Sequence, residues 1–231
     1  MKSTFVKINL LSAVFLLLFS ASALALPSAN QYVTVSTNGL GTTNGGEFKL
    51  DLSSNGTGLD YISFCVERDE TIVNNGTYWL KSVEDRAYGG GNDVNTSGGY
   101  DQLSSAAQWV MYKYIYDSFT NGSSTLTKNN SLADNVQYVI WYLEGELTNT
   151  EWNNLTAAKT FYTNYVAGKT NSDYDDYVTV LNLVSYDNCG HETKRQSQII
   201  ADPVPEPATM LLFGTGIAGL AGIARRRQTN S

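Results

Sequence analysis

Hydrophobic and polar positions divide the chain into three parts. A largely apolar run from Ile8 to Phe19 lies near one end, and an uncharged run from Met210 to Ala224 lies near the other. Between them the pattern changes period twice. Gln31 to Ser36, Glu47 to Leu52, Leu59 to Glu67 and Thr77 to Val83 alternate or run apolar with β-branched and aromatic residues, the signature of strands. The stretches separating them, Thr37 to Gly46, Ser53 to Gly58, Asn74 to Gly76 and Tyr88 to Gly99, are rich in Asn and Gly and read as turns or loops.

After Tyr100 the period becomes helical. Leu103, Ala106, Ala107, Val110, Met111, Tyr114 and Ile115 form one stripe, and Val136, Val139, Ile140 and Leu143 form a second. Ser131-x-x-Asp134 resembles a capping box that would open the second helix. Thr150 can cap a third over Glu151 to Ala167, with Gly168 placed to end it. Tyr177 to Tyr186 and Gln196 to Ile200 return to strand character. The order predicts an α+β body over residues 26–203: a sheet-based domain, β-sandwich or barrel-like, with a three-helix insertion.

Charge narrows the functions open to that body. The whole chain has 231 residues and a net charge of −7, but residues 26–203 carry 10 basic against 21 acidic side chains, a balance of −11. Such a surface repels phosphate backbones, so no nucleic-acid partner is expected. The chain has one His, which removes most general-base chemistry and His-rich metal centres. G-x-S-x-G, Walker A, C-x-x-C and H-E-x-x-H motifs are all missing. Asp93-x-Asn95-x-Ser97-Gly98 begins like an EF-hand loop, but its twelfth position is Ser104 where a bidentate Glu is needed. His191 reads as a surface-loop residue. The chain is therefore expected to be no enzyme and to hold no catalytic residue, metal or cofactor.

The two ends read as addresses. Lys2 and Lys7 precede the first apolar run, and Ala23-Leu24-Ala25 closes it, the pattern of a secretory signal peptide cut by signal peptidase after Ala25. At the other end Pro205-Glu206-Pro207 is followed by the uncharged run and then by Arg225-Arg226-Arg227. A helix over about 209–224 would be a short span, its arginines held on the cytoplasmic side. This order resembles the PEP-CTERM sorting signal. The resemblance implies recognition of residues 204–231 by an exosortase, a membrane-embedded cysteine protease. It implies a transient inner-membrane anchor by the C-terminal helix, then delivery to the cell surface or extracellular matrix of a Gram-negative, exopolysaccharide-making bacterium.

One pair in the body carries pointed chemistry. Ser63-Phe64-Cys65-Val66-Glu67 ends a strand, and Val136-Gln137-Tyr138-Val139-Ile140-Trp141 lies on the second helix. F-C-V-E followed by V-Q-x-x-I-W resembles the thioester domains of bacterial surface adhesins. The resemblance implies a bond between the Cys65 thiol and the Gln137 acyl group, shielded by Phe64, Ile140 and Trp141. It implies adhesion by covalent capture of a protein amine or a surface polysaccharide. Gln108, in Ala106-Ala107-Gln108-Trp109-Val110, has similar neighbours and is a rival acyl donor. Two cysteines in an exported chain are by default a disulfide, here Cys65–Cys189, which would remove the thiol from thioester chemistry. That alternative makes the body a non-covalent polysaccharide-binding or structural module of a biofilm matrix.

Overall fold

The computed structural model describes residues 27–42, 45–52, 60–88 and 99–201. Contacts set Leu26–Asp202 apart as one unit. The expected signal peptide, the expected C-terminal helix and the tripeptide Pro205-Glu206-Pro207 with its arginines fall on residues outside those described. Among the described residues, no helix is long and apolar enough to cross a membrane.

Six antiparallel strands close into a barrel. In chain order they are β1 (Gln31–Ser36), β2 (Phe48–Asp51), β3 (Asp60–Cys65), β4 (Gly76–Glu84), β9 (Val178–Tyr186) and β11 (Gln198–Ala201). Their spatial order β9-β11-β3-β2-β1-β4 returns to β9 through a β4–β9 pairing. Closure leaves these strands no free lateral edge and resolves the sandwich-or-barrel alternative in favour of the barrel. Alternation then sorts side chains by parity. Val33, Val35, Leu50, Tyr61, Tyr78, Leu80, Leu181, Leu183 and Ile200 pack together inside. Residues of the opposite parity, Phe64, Val180, Ile199 and Ala201, point outward into a second, larger cluster under the helices.

Three smaller pairings were not anticipated from the hydrophobic pattern. β5 (Arg86–Tyr88) pairs with β6 (Tyr100–Gln102), and β7 (Thr120–Asn121) with β8 (Ser124–Thr125). β10 (Glu192–Lys194) lies beside β9 ahead of β11. β10 and β11 are two halves of one return strand: Lys194 pairs with Val184, Gln198 pairs with Leu181, and the register slips by one residue between them.

The helical insertion lies between β6 and β9. α1 (Ser105–Tyr116) starts at Ser104, whose hydroxyl accepts the Ala107 N–H; the twelfth position of the EF-hand-like stretch is thus a helix cap. α2 (Asn130–Leu143) is capped by Asn129, which accepts the Leu132 N–H, and not by Ser131. Asp134 is thereby released for another task. The third expected helix is broken. α3 (Asn149–Asn154) starts from a capping box between Thr148 and Glu151, displacing the expected cap from Thr150. The chain then leaves helical geometry at Leu155 (ψ 64°), and α4 (Thr156–Phe161) restarts and runs into a π turn, Tyr162–Val166. Gly168, at φ 70°, stops it as expected.

The candidate Cys65 and Gln137 site

The site lies where β3 outruns its neighbour. β2 begins at Phe48, opposite Ser63, so the next residue of β3 whose amide faces that side, Cys65, has no strand beside it. Gln137 of α2 fills the gap. Its Oε1 accepts the Cys65 N–H at 2.9 Å, and its Nε2 donates to the Cys65 carbonyl at 2.8 Å. A side-chain amide thus takes both hydrogen bonds that a paired strand would have taken. Both residues are buried, Cys65 to 1% and Gln137 to 0% exposure.

What keeps β2 short is a glycine-rich turn. Gly41 and Gly46, at φ 121° and 113°, adopt left-handed conformations that favour glycine. A Cβ at Gly45 would meet the Gln137 Cγ at 3.4 Å, so the loop lies directly against this side chain. Its contacts with α2 are made by backbone: Thr42 N–H donates to Asp134 Oδ1 at 2.7 Å and Gly41 N–H to Asn130 Oδ1 at 3.2 Å. Glu47 closes the turn, accepting the Leu40 N–H and, on its other oxygen, the Tyr114 hydroxyl of α1.

The Cys65 thiol itself faces a different amide. On β11, Gln198 is in register with Cys65, and its Nε2 lies 3.4 Å from Sγ while its Oε1 accepts the Ser63 hydroxyl at 2.8 Å. Burial pushes the thiol well above its ordinary value; the Gln198 hydrogen bond lowers it, and the Glu67 charge raises it further. Glu67 is itself buried. Its Oε2 accepts the Ser197 N–H at 2.7 Å, and its Oε1 has no hydrogen-bond partner among the described residues. Desolvation pushes this carboxyl up to about 8, so it is mostly protonated at neutral pH.

The structure brings together some residues singled out from sequence and separates others. Cys65 meets Gln137, while Gln108 turns away, its Nε2 donating to the Leu103 carbonyl at 3.2 Å. Phe64 and Ile140 are fully buried in the cluster between barrel and helices, Phe64 edge-on to Tyr114. Trp141 is buried one helical turn beyond Gln137, against Tyr138. Both cysteines are free, Cys65 buried and Cys189 exposed, so the Cys65–Cys189 disulfide is not formed. The reason is the barrel: Cys65 points to its interior, whereas Cys189 lies in the loop beyond β9.

Four contributors escaped the sequence reading: Gln198, Glu67 as a buried acid, Gly45 with its turn, and Glu47. A signal was present for the first two. Gln196-Ser197-Gln198 places polar residues at the start of a strand whose other members are apolar, and each needs an internal partner to be buried.

Comparison with known proteins bears on the chain's end. Residues 203–228 match the PEP-CTERM protein-sorting motif. The match includes Pro205-Glu206-Pro207 and Arg225 to Arg227, and it implies an exported protein recognised by an exosortase. No curated protein and no solved structure matches the chain.

Proposed function

We propose that the exported body is a covalent adhesion module in which Cys65 and Gln137 form an internal thioester. The observation that carries this reading is the two-ended hydrogen bond of the Gln137 carboxamide to the backbone of Cys65, inside a buried site. The two bonds fix the orientation of the acyl group beside the residue that bears the nucleophile, and fixed orientation is what an intramolecular acyl transfer requires.

The chemistry balances without a cofactor. Sulfur adds to Cδ of Gln137, the C–N bond breaks, and the thiol proton leaves with the nitrogen as ammonia. The resulting thioester survives only where water is excluded, and burial of both residues supports that. A target amine then adds to the same carbon, sulfur leaves and regains a proton, and an amide joins Gln137 to the target.

In this reading the N-terminal segment is a signal peptide removed after Ala25. The C-terminal segment is a temporary membrane anchor until an exosortase acts at Pro205-Glu206-Pro207, and the body then serves at the surface or in the matrix, with an amine-bearing partner or polysaccharide as target. Incubation of the mature protein with methylamine tests it. The expected result is methylamide at Gln137 together with one newly titratable thiol at Cys65. Recovery of unmodified Gln137 after complete unfolding in the amine would refute it.

A further inference from the structure

The loop joining β9 to β10, Asp187-Asn188-Cys189-Gly190-His191, gathers three donors of different kinds. A carboxylate oxygen of Asp187, the Cys189 sulfur and a ring nitrogen of His191 all lie within 4.8 Å of one another. One His and two separated cysteines match no zinc spacing, so nothing in the residue pattern marks this cluster. The turn creates it. Asp187 Oδ1 accepts the N–H groups of Cys189 and His191, both at 2.8 Å, and Gly190 at φ 82° reverses the chain between them. Asp187 Oδ2 lies 2.9 Å from His191 Nδ1. The loop is mounted on the paired strands β9 and β10, where Tyr186 faces Glu192, so its ends are fixed.

We propose that Asp187, Cys189 and His191 form a surface site for a borderline divalent cation of the Zn²⁺ class. Oxygen, sulfur and nitrogen donors together suit Zn²⁺ better than hard cations, which prefer all-oxygen sets. Tetrahedral zinc with bonds of about 2.0–2.3 Å separates its ligand atoms by about 3.3–3.8 Å, so the three donors, now within 4.8 Å of one another, would draw together by about 1 Å on binding, which exposed side chains in a loop can do. All three side chains are exposed, so the fourth position opens to water or to a donor from another molecule. On binding, the S–H bond gives its proton to solvent and an S–metal bond replaces it; no oxidant is involved. The acidic body adds long-range attraction for any cation. This site is separate from Cys65 and Gln137 and is unaffected by whether they react.

Cobalt titration of the full chain in detergent, kept reduced with a phosphine, provides the test. One equivalent of Co²⁺ should produce a sulfur-to-cobalt charge-transfer band that Zn²⁺ bleaches. Cys189→Ser should abolish the band, and Cys65→Ser should leave it intact. His191→Ala and Asp187→Ala should each weaken binding roughly tenfold to a hundredfold. No band in the wild-type protein, a band surviving Cys189→Ser, or unchanged affinity in both alanine variants would overturn the proposal.

Discussion

The two cysteines occupy opposite environments, and the contrast shows how one residue type is given two chemistries. Cys65 ends a barrel strand with its thiol against Gln198 and its backbone held by Gln137, and burial raises its thiol far out of the reactive range. Cys189 sits in an exposed loop beside Asp187 and His191. A buried thiol without thiolate character can persist unmodified in an oxidising compartment and can react only with a partner already inside the fold. An exposed thiol meets whatever the solvent brings.

The largest expected difference is in stability. Gln137→Ala leaves the N–H and carbonyl of Cys65 buried with no side chain to replace the lost strand contact. It should cost about 2–6 kcal/mol, counting roughly 1–3 for each of the two orphaned groups. Urea unfolding measures it. Cys189→Ser, in contrast, should stay within about 0.5 kcal/mol of wild type, as exposed substitutions do. Equal effects of the two variants would erase the contrast.

Glu67 sharpens it through pH. The folded state holds the Glu67 proton up to about 8, while the unfolded chain releases it near the ordinary 4.5. Through that window the folded state binds more protons, so stability falls as pH rises, by up to about 1.4 kcal/mol per pH unit, and is unaffected by this group below the window. Glu67→Gln keeps an oxygen to accept the Ser197 N–H and carries no titrating proton. Its unfolding midpoint should therefore change less than that of wild type between pH 5 and pH 8. Parallel curves for the two proteins would show that Glu67 is not the buried acid.

A smaller effect tests the turn that covers Gln137. Gly45→Ala puts a methyl group 3.4 Å from the Gln137 Cγ. That is ordinary van der Waals contact at a backbone position outside the left-handed region, so the change should stay within about 0.5–1 kcal/mol of wild type by urea unfolding. Phe64→Leu tests the packing beside the site: it keeps an apolar side chain in the outer cluster and forfeits the edge-on contact with Tyr114, worth about 0.5–1.5 kcal/mol beyond area, a loss that urea unfolding reads.

How far these features were legible in the sequence follows from the range over which each is encoded. Strands β1, β2, β3, β4, β9 and β11 follow from local alternation, and their observed limits lie within two residues of those read from the pattern. Barrel closure does not, because the β4–β9 pairing joins positions a hundred residues apart and no local period reports it. Helix starts misled where two cap residues competed. Ser131 and Thr150 satisfy the pattern, but Asn129 and Thr148 have the extended backbone that lets a side chain reach the third amide. Asp134, taken for part of a cap, holds the Thr42 backbone instead. At the site, Cys65 and Gln137 were visible through their motifs, whereas Gln198 and Gly45 act through a neighbouring strand and a turn, and only the assembled barrel puts them in place. Cys189 and His191 are two residues apart and looked unremarkable until Gly190 folded them back toward Asp187.

Weighing the intact mature protein, purified from its own host under denaturing and non-reducing conditions, tests the Cys65–Gln137 bond most directly. The mass should fall one ammonia short of that of the trimmed polypeptide, and Gln137→Ala should restore the difference. A wild-type mass equal to that of the trimmed polypeptide, or lower by two hydrogens for a Cys65–Cys189 bridge, would contradict the thioester.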